Sequence, residues 1–235
     1  MASDEEKKDI YGKYSTLEKA LAVDPAELKK DALDGKPDAM NAMGMKHEAQ
    51  QQLRRAARWY MLAGFAGSSE GIYNYGKSLF WGWNDEPDYK TAHQVFRIAR
   101  ERGCRKGACY FLAVYAEKGI LDKPDYEKAI ALYSEGALDG DYRCYRELGR
   151  IYAEGKITEE DPEKAYYNFM MAGAIGDPVS VTNMALFYEE GYGIEKNMDR
   201  AVELYKMAAD AGEENAIEAL ERLGVESGAE SGDDK

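Results

Sequence analysis

Three arginines, Arg143, Arg146 and Arg150, stand three and four residues apart, so on a helix they share one cationic stripe. The planar guanidinium fork suits carboxylates and phosphates, and such a stripe could hold an acidic, phosphorylated or C-terminal carboxylate group. Two acids in the same stretch, Glu147 and Glu154, give the opposing expectation that the stripe is neutralised within its own helix. A second set is aromatic: Tyr73, Phe80, Trp81 and Tyr110, with Lys77 among them and Trp83 just beyond. Exposed aromatics and arginines dominate binding hot spots. Tyrosines at helical spacing also pack between helices, and both readings stand for Tyr73 and Tyr110. A further basic run, Arg97, Arg100, Arg102, Arg105 and Lys106, falls where a helix is expected to end, and cations there complement the helix dipole.

Catalytic chemistry is sparsely provided for. The two histidines, His47 and His93, are far apart in the chain, and no Walker sequence, glycine-rich nucleotide loop or nucleophile elbow is present. Cys104, Cys109 and Cys144 form neither a metal-ligand spacing nor an even disulfide framework, which points to a reducing, cytoplasmic setting. No metal or cofactor is expected. A net charge of −13 argues against nucleic acid and anionic membranes as partners. Met1 to Asp9 is hydrophilic and unlike a signal peptide, and no apolar run is long enough to span a bilayer.

The elements that must position these groups are set by a period. Gly67, Gly103, Gly140, Gly176 and Gly212 recur at intervals of 36, 37, 36 and 36 residues. Seven residues before each stands an aromatic (Tyr60, Phe96, Tyr133, Phe169, Tyr205), and four before that an alanine (Ala56, Ala92, Ala129, Ala165, Ala201). These offsets put alanine, aromatic and closing glycine on one helical stripe, here named helix B, and a fixed period of this length means stacked supersecondary units. Asp88, Asp125, Asp161 and Asn197 precede it as N-caps. Helix A comes earlier in each unit, with a paired small-residue pattern such as Cys144, Leu148, Gly149 and Tyr152, and ends at Gly82, Gly119, Gly155 or Gly191. The first unit is shorter by four residues in its loop, and the third carries one extra residue near Cys104 to Gly107.

The word A-x-x-x-L-G-x-x-Y-x-x-G, a short loop, then D-x-x-x-A-x-x-x-Y-x-x-A-x-x-x-G resembles the Sel1-like repeat, a relative of the tetratricopeptide repeat. The clearest copies run from Cys144 to Gly176 and from Ser180 to Gly212. The resemblance implies an all-α, right-handed α/α solenoid of about five helix–turn–helix repeats with capping helices at both ends. Expected boundaries are a polar segment at 1–14, capping helices at 15–37, repeats at 38–67, 68–103, 104–140, 141–176 and 177–212, a capping helix at 214–223 and an acidic disordered tail at 225–235.

In the resembling families helix A lines the concave face. That implies inward positions Glu70, Tyr73, Lys77, Phe80 and Trp81 in the second unit and Gly107, Tyr110, Val114, Glu117 and Lys118 in the third. It also implies Arg143, Arg146, Arg150, Ala153 and Glu154 in the fourth, and Val179, Thr182, Leu186, Glu189 and Glu190 in the fifth. The function implied is a cytoplasmic protein–protein interaction scaffold or adaptor, without catalysis, that binds a protein or peptide with an acidic or carboxylate group and favours the monomer. Two alternatives are a hydrolase of the β-lactamase-like type found among secreted members, for which no serine-x-x-lysine motif is present, and a self-associating structural protein. Secreted members also bridge the two helices of a unit by disulfides, and this chain lacks those paired cysteines.

Overall fold

The computed structural model describes Tyr14 and residues 16–225. The expected polar segment 1–14 apart from Tyr14, and the acidic tail 225–235 apart from Val225, lie outside the described residues. Among the described residues the secondary structure is thirteen α-helices and no strands. They fall into two compact units, Met1–Asp125 and Tyr126–Lys235.

The first unit holds α1 (Leu17–Ala22), α2 (Pro25–Leu33), α3 (Pro37–Ala49), α4 (Leu53–Phe65), α5 (Ser69–Phe80), α6 (Tyr89–Glu101) and α7 (Arg105–Lys118). The second holds α8 (Tyr126–Leu138), α9 (Tyr142–Glu154), α10 (Pro162–Ala174), α11 (Pro178–Glu190), α12 (Met198–Asp210) and α13 (Glu214–Arg222). Within each unit the helices from α2 onward pack mainly on their neighbours in sequence, the pattern of a helix-pair solenoid, while α1 packs on α3. α3, α5, α7, α9 and α11 are the A helices, and α4, α6, α8, α10 and α12 the B helices.

Helix pairing rests on one repeated contact. The aromatic of helix B lies against the second small residue of helix A, so closely that a Cβ on Gly44, Gly76 or Gly149 would sit 2.3, 2.8 or 2.7 Å from the ring of Tyr60, Phe96 or Phe169. Tyr60, Phe96 and Tyr205 are completely buried, as are the alanines one turn earlier, Ala56, Ala92 and Ala201. Each burial of such a ring contributes about 2–3 kcal/mol.

The helix ends follow from capping. Asp88, Asp161 and Asn197 accept from the backbone N–H of Thr91, Lys164 and Arg200. The closing glycines take φ between +81° at Gly140 and Gly212 and +108° at Gly67, the left-handed region that halts a helix. In the short first repeat only Gln50 to Gln52 separate α3 from α4, and Gln51 holds φ 58° where the other A helices end in glycine. The extra residue of the third repeat is absorbed inside α7, where Lys106 (ψ 120°) and Gly107 (φ 89°) break the helix before it resumes.

The N-terminal helices form a cap. Leu28 and Ala32 of α2 are fully buried with Ala39 and Ala42 of α3, and Tyr14 closes this core with its hydroxyl donating to Asp31 at 2.7 Å. At the other end α13 buries Ala216, Ala219 and Leu220 against Tyr205 and Ala208.

Candidate interaction groove

Each A helix begins with the residue that follows a closing glycine, and in the second unit those residues are buried acids. Asp141 and Asp177 are 1% and 3% exposed and Glu213 is 8% exposed, and each caps its helix by accepting a backbone N–H: Arg143, Ser180 and Ala216 respectively. A buried carboxylate needs a further partner. Asp141 is gripped by Arg143 through Nε (3.0 Å) and Nη2 (2.7 Å). Asp177 is reached by Nη1 of Arg146 at 2.9 Å and by the hydroxyl of Ser180 at 2.6 Å. Glu213 accepts from the hydroxyl of Thr182 at 2.7 Å and from Asn215 at 2.7 Å. Burial alone would push the Glu213 carboxyl up, but the bonds from Thr182, Asn215 and the helix backbone outweigh it and hold the group below the usual range.

Arg146 and Thr182 occupy the same repeat position, so helix A of one repeat reaches the cap of the next. The first unit builds that step from other chemistry. Tyr73, in the same position, lays its ring against Gly107, where a Cβ would lie 2.7 Å from the ring, and Cys104 at the start of α7 makes no side-chain cap bond.

The arginine stripe is therefore held by carboxylates along its whole length. Arg150 pairs with Glu147 (2.8 Å) and Glu154 (3.2 Å), as the neutralised reading expects, while Arg143 and Arg146 use the buried cap acids. Lys156 adds a second cation to Glu154 at 3.2 Å. Burial raises the Glu154 carboxyl, but Lys156 and Arg150 outweigh it and leave the group lowered.

Among the aromatics, Tyr73 is half-buried between Phe96 (6.1 Å between ring centroids) and Phe111 (6.2 Å), and Tyr110 is half-buried with its edge on Phe111 (5.4 Å). Phe80 packs against Phe111 (5.0 Å), Tyr89 (5.4 Å), Tyr115 (5.7 Å) and Trp81 (5.0 Å). Trp81 remains 60% exposed. Lys77 is bound to Glu48 at 2.7 Å and sits 5.2 Å above the ring of Trp83. His47 contacts Gln52 at 3.0 Å, and His93 packs its ring on Tyr115.

A second rule connects the repeats. In two repeats whose helix B aromatic is tyrosine, its hydroxyl meets a glutamate of helix A, and a cation from the following helix, α5 or α13, takes the same glutamate. Tyr60 donates to Glu48 at 2.5 Å, with Lys77 on the other oxygen. Tyr205 donates to Glu189 at 2.7 Å, with Arg222 at 2.7 Å. The hydrogen bond from Arg222, helped by Tyr205, lowers the Glu189 carboxyl. Where the aromatic is phenylalanine the acid and the cation are both missing: Phe96 goes with Phe80 and Val114, and Phe169 with Ala153 and Leu186. The residue types of the third repeat, Tyr133, Glu117 and then Arg150, follow the tyrosine form.

The Phe169 step opens a groove of about 630 Å³ between α9, α10 and α11. Ala153, Phe169, Val179, Leu186, Phe187 and Tyr192 supply its apolar lining, and Arg146, Glu147, Arg150, Glu154, Asn183 and Glu190 its polar rim. The hydroxyl of Tyr192 fixes the end wall by donating to Glu160, with the Ala153 carbonyl a second acceptor within reach at 3.1 Å. Burial, aided by that bond to Glu160, pushes the Tyr192 phenol up to about 12. Among the described residues no group of three or more histidines, cysteines, aspartates or glutamates is placed to hold a metal ion, and no helix is long and apolar enough to cross a membrane.

The Sel1 repeat model matches residues 69–104, 107–141, 143–177 and 178–213, more than half of the chain. The chain belongs to the Sel1 repeat family. The first repeat, with its shortened loop, lies outside the four matched copies. A crystal structure of a Sel1 repeat protein from Oxalobacter formigenes superposes with a TM-score of 0.74 at 26% identity, over 96% of this chain and 94% of that one. Over 186 residues the chain is 27% identical to DAP3-binding cell death enhancer 1 of Rattus norvegicus, which covers 79% of this chain and 36% of the relative. It is also 27% identical over 136 residues to the chitin synthase regulator SKT5 of Saccharomyces cerevisiae, covering 57% of this chain and 20% of the relative. The chain thus spans only 36% and 20% of the length of these two curated relatives. Sel1 repeats are protein-interaction repeats, and the names of both relatives are those of binding or regulatory proteins.

Proposed function

We propose that this protein is a non-catalytic adaptor that holds an extended segment of a protein partner in the groove between α9 and α11. The observation that carries the reading is the contrast between the floor and the rim of that groove. The floor is apolar and open, while the arginines of the rim are engaged by carboxylates of their own unit. The partner is therefore anchored by an apolar side chain, and the stripe Arg143, Arg146 and Arg150 serves to fix the groove walls. A partner chosen by its acidic groups alone would have to displace Asp177, which is 3% exposed, or both glutamates around Arg150. Membership of an interaction-repeat family supports a binding role, and the relatives' regulatory names agree with it.

The test is capture from the lysate of the source cell with wild type and Leu186→Glu, compared by mass spectrometry. Leu186 is 36% exposed on the groove floor, so the change adds a charge without emptying a core. A protein retained by wild type and lost from the variant supports the groove; an unchanged set of captured proteins removes it.

Self-association is the second reading, favoured by Phe65 and Leu138, which are 82% and 84% exposed at equivalent ends of α4 and α8. A sedimentation coefficient that rises with protein concentration, and stops rising in Phe65→Ser and Leu138→Ser, would establish it.

A further inference from the structure

The groove beside Ala153 has the outline of a missing aromatic side chain, and we propose that the partner supplies one, next to a lysine or arginine. The inference rests on the groove reading and names the chemistry of the bound segment.

The outline comes from comparing the two phenylalanine-type steps, each within one unit. In the first unit Phe96, Phe80 and Val114 occupy the positions that Phe169, Ala153 and Leu186 occupy in the second. Phe80 fills its place with a ring stacked edge-on against Phe111 and Tyr115. The repeat equivalents of Phe111 and Tyr115 are Asn183 and Phe187, and both line the groove. With alanine in place of Phe80, the second unit keeps one aromatic wall of the seat, Phe187, has Asn183 at the other, and lacks the ring. Phe187 holds its wall firmly, with Phe169 at 5.9 Å and Tyr192 at 4.9 Å. The remaining space of about 630 Å³ lies within the range of clefts that hold ligands.

The charge of the neighbouring residue follows from the rim. Three carboxylates, Glu147, Glu154 and Glu190, face two guanidinium groups, and both of these are already paired: Arg146 with Asp177, Arg150 with Glu147 and Glu154. Glu190 is exposed and forms no ion pair among the described residues. A cation beside the inserted ring therefore meets Glu190, which shares its field with Arg222 but holds no ion pair among the described residues, whereas an anion there meets carboxylates that outnumber the guanidinium groups of the lining. Asn183 uses its amide nitrogen on the Val179 carbonyl at 3.0 Å, which leaves its carbonyl oxygen to accept a backbone N–H of the bound segment.

Phage-displayed random dodecapeptides, panned on the full chain and then measured as free labelled peptides by fluorescence anisotropy, test this. Ala153→Phe plugs the seat with the ring that Phe80 supplies in the first unit, and Ala153→Met is the second variant should the first fail to fold by circular dichroism. The expected result is enrichment of an aromatic residue within two positions of Lys or Arg. Binding should weaken about tenfold or more in the plugged variant and several-fold, with a shallower salt dependence, in Glu190→Gln. Selected peptides that bind the plugged variant as tightly as wild type, or that lack an aromatic, overturn the inference while leaving groove binding in place. Failure to select any peptide overturns it as well, and the Leu186→Glu capture then decides the groove reading separately.

Discussion

The Tyr73 step of the first unit and the steps of the second use one backbone plan and opposite chemistry where helix A meets the next repeat. In the second unit a polar side chain reaches a buried cap acid, Arg146 to Asp177 and Thr182 to Glu213. In the first, the ring of Tyr73 lies on Gly107 and the preceding cap position, Cys104, makes no cap bond. The repeat therefore fixes where a contact falls and leaves its chemistry free, provided that each step is complete in itself. The ionic version demands all its members, because a buried carboxylate without its donors is costly. The aromatic version degrades gradually, as packing does.

The largest expected effect separates these two designs. Asp177→Ala removes a helix cap and strips Arg146 of its partner, so urea unfolding should show a loss of about 2–4 kcal/mol. Cys104→Ala, at the equivalent cap of the first unit, should cost well under about 1 kcal/mol beyond its small loss of buried volume. Equal losses at both sites would mean that the cap acid is not what holds the second unit together.

Next come changes to what the units share. Gly76→Ala and Gly149→Ala each push a Cβ to within 2.8 and 2.7 Å of a phenylalanine ring. Both should destabilise by about 1–3 kcal/mol through overpacking. A cost in one unit alone would show that the ring contact is not a common feature.

A smaller effect is set by pH. The Glu189 carboxyl is lowered by Arg222 and Tyr205. Its contribution is therefore fully present above the ordinary glutamate pKa and is lost as pH falls through the lowered folded value. Glu189→Gln should flatten that acid limb of the stability curve, and Tyr205→Phe should remove about 1 kcal/mol at neutral pH. An acid limb identical in wild type and Glu189→Gln would exclude this pair as its source.

The smallest is a gain. Gln51→Gly relieves a left-handed residue and should raise stability by about 0.5–1 kcal/mol, read as a higher midpoint of thermal unfolding.

The helical plan was legible because its markers are local. A closing glycine, a cap residue and an alanine–aromatic spacing are each fixed by the backbone conformation at that point, and Asp88, Asp161 and Asn197 cap as their positions imply. The partners of the arginine stripe were only half legible. Glu147 and Glu154 lie one turn from Arg150, but Asp177 is 31 residues from Arg146, and a distance set by stacking leaves no short-range trace. One signal could have found it: an acid directly after the closing glycine at 141, 177 and 213. The gap at Ala153 was invisible position by position, since an alanine on helix A is ordinary. It shows only when Phe80 is set beside it at the equivalent position.

The tyrosine–glutamate–cation rule also limits how such a chain could grow or shrink. In residue types the steps alternate, charged after Tyr60, apolar after Phe96, charged after Tyr133, apolar after Phe169 and charged after Tyr205. The array therefore has a parity. In residue types, removing 141–176 would follow Tyr133 and Glu117 with Leu186, whereas removing 104–176 would follow Phe96 and Phe80 with Leu186 and keep like with like. For a stack whose stability is a sum over neighbours, the single deletion should cost more than half as much as the double one in urea unfolding. A single deletion costing half or less would show that the alternation carries no such constraint. With the constraint, this chain tolerates the loss of repeats in pairs better than singly.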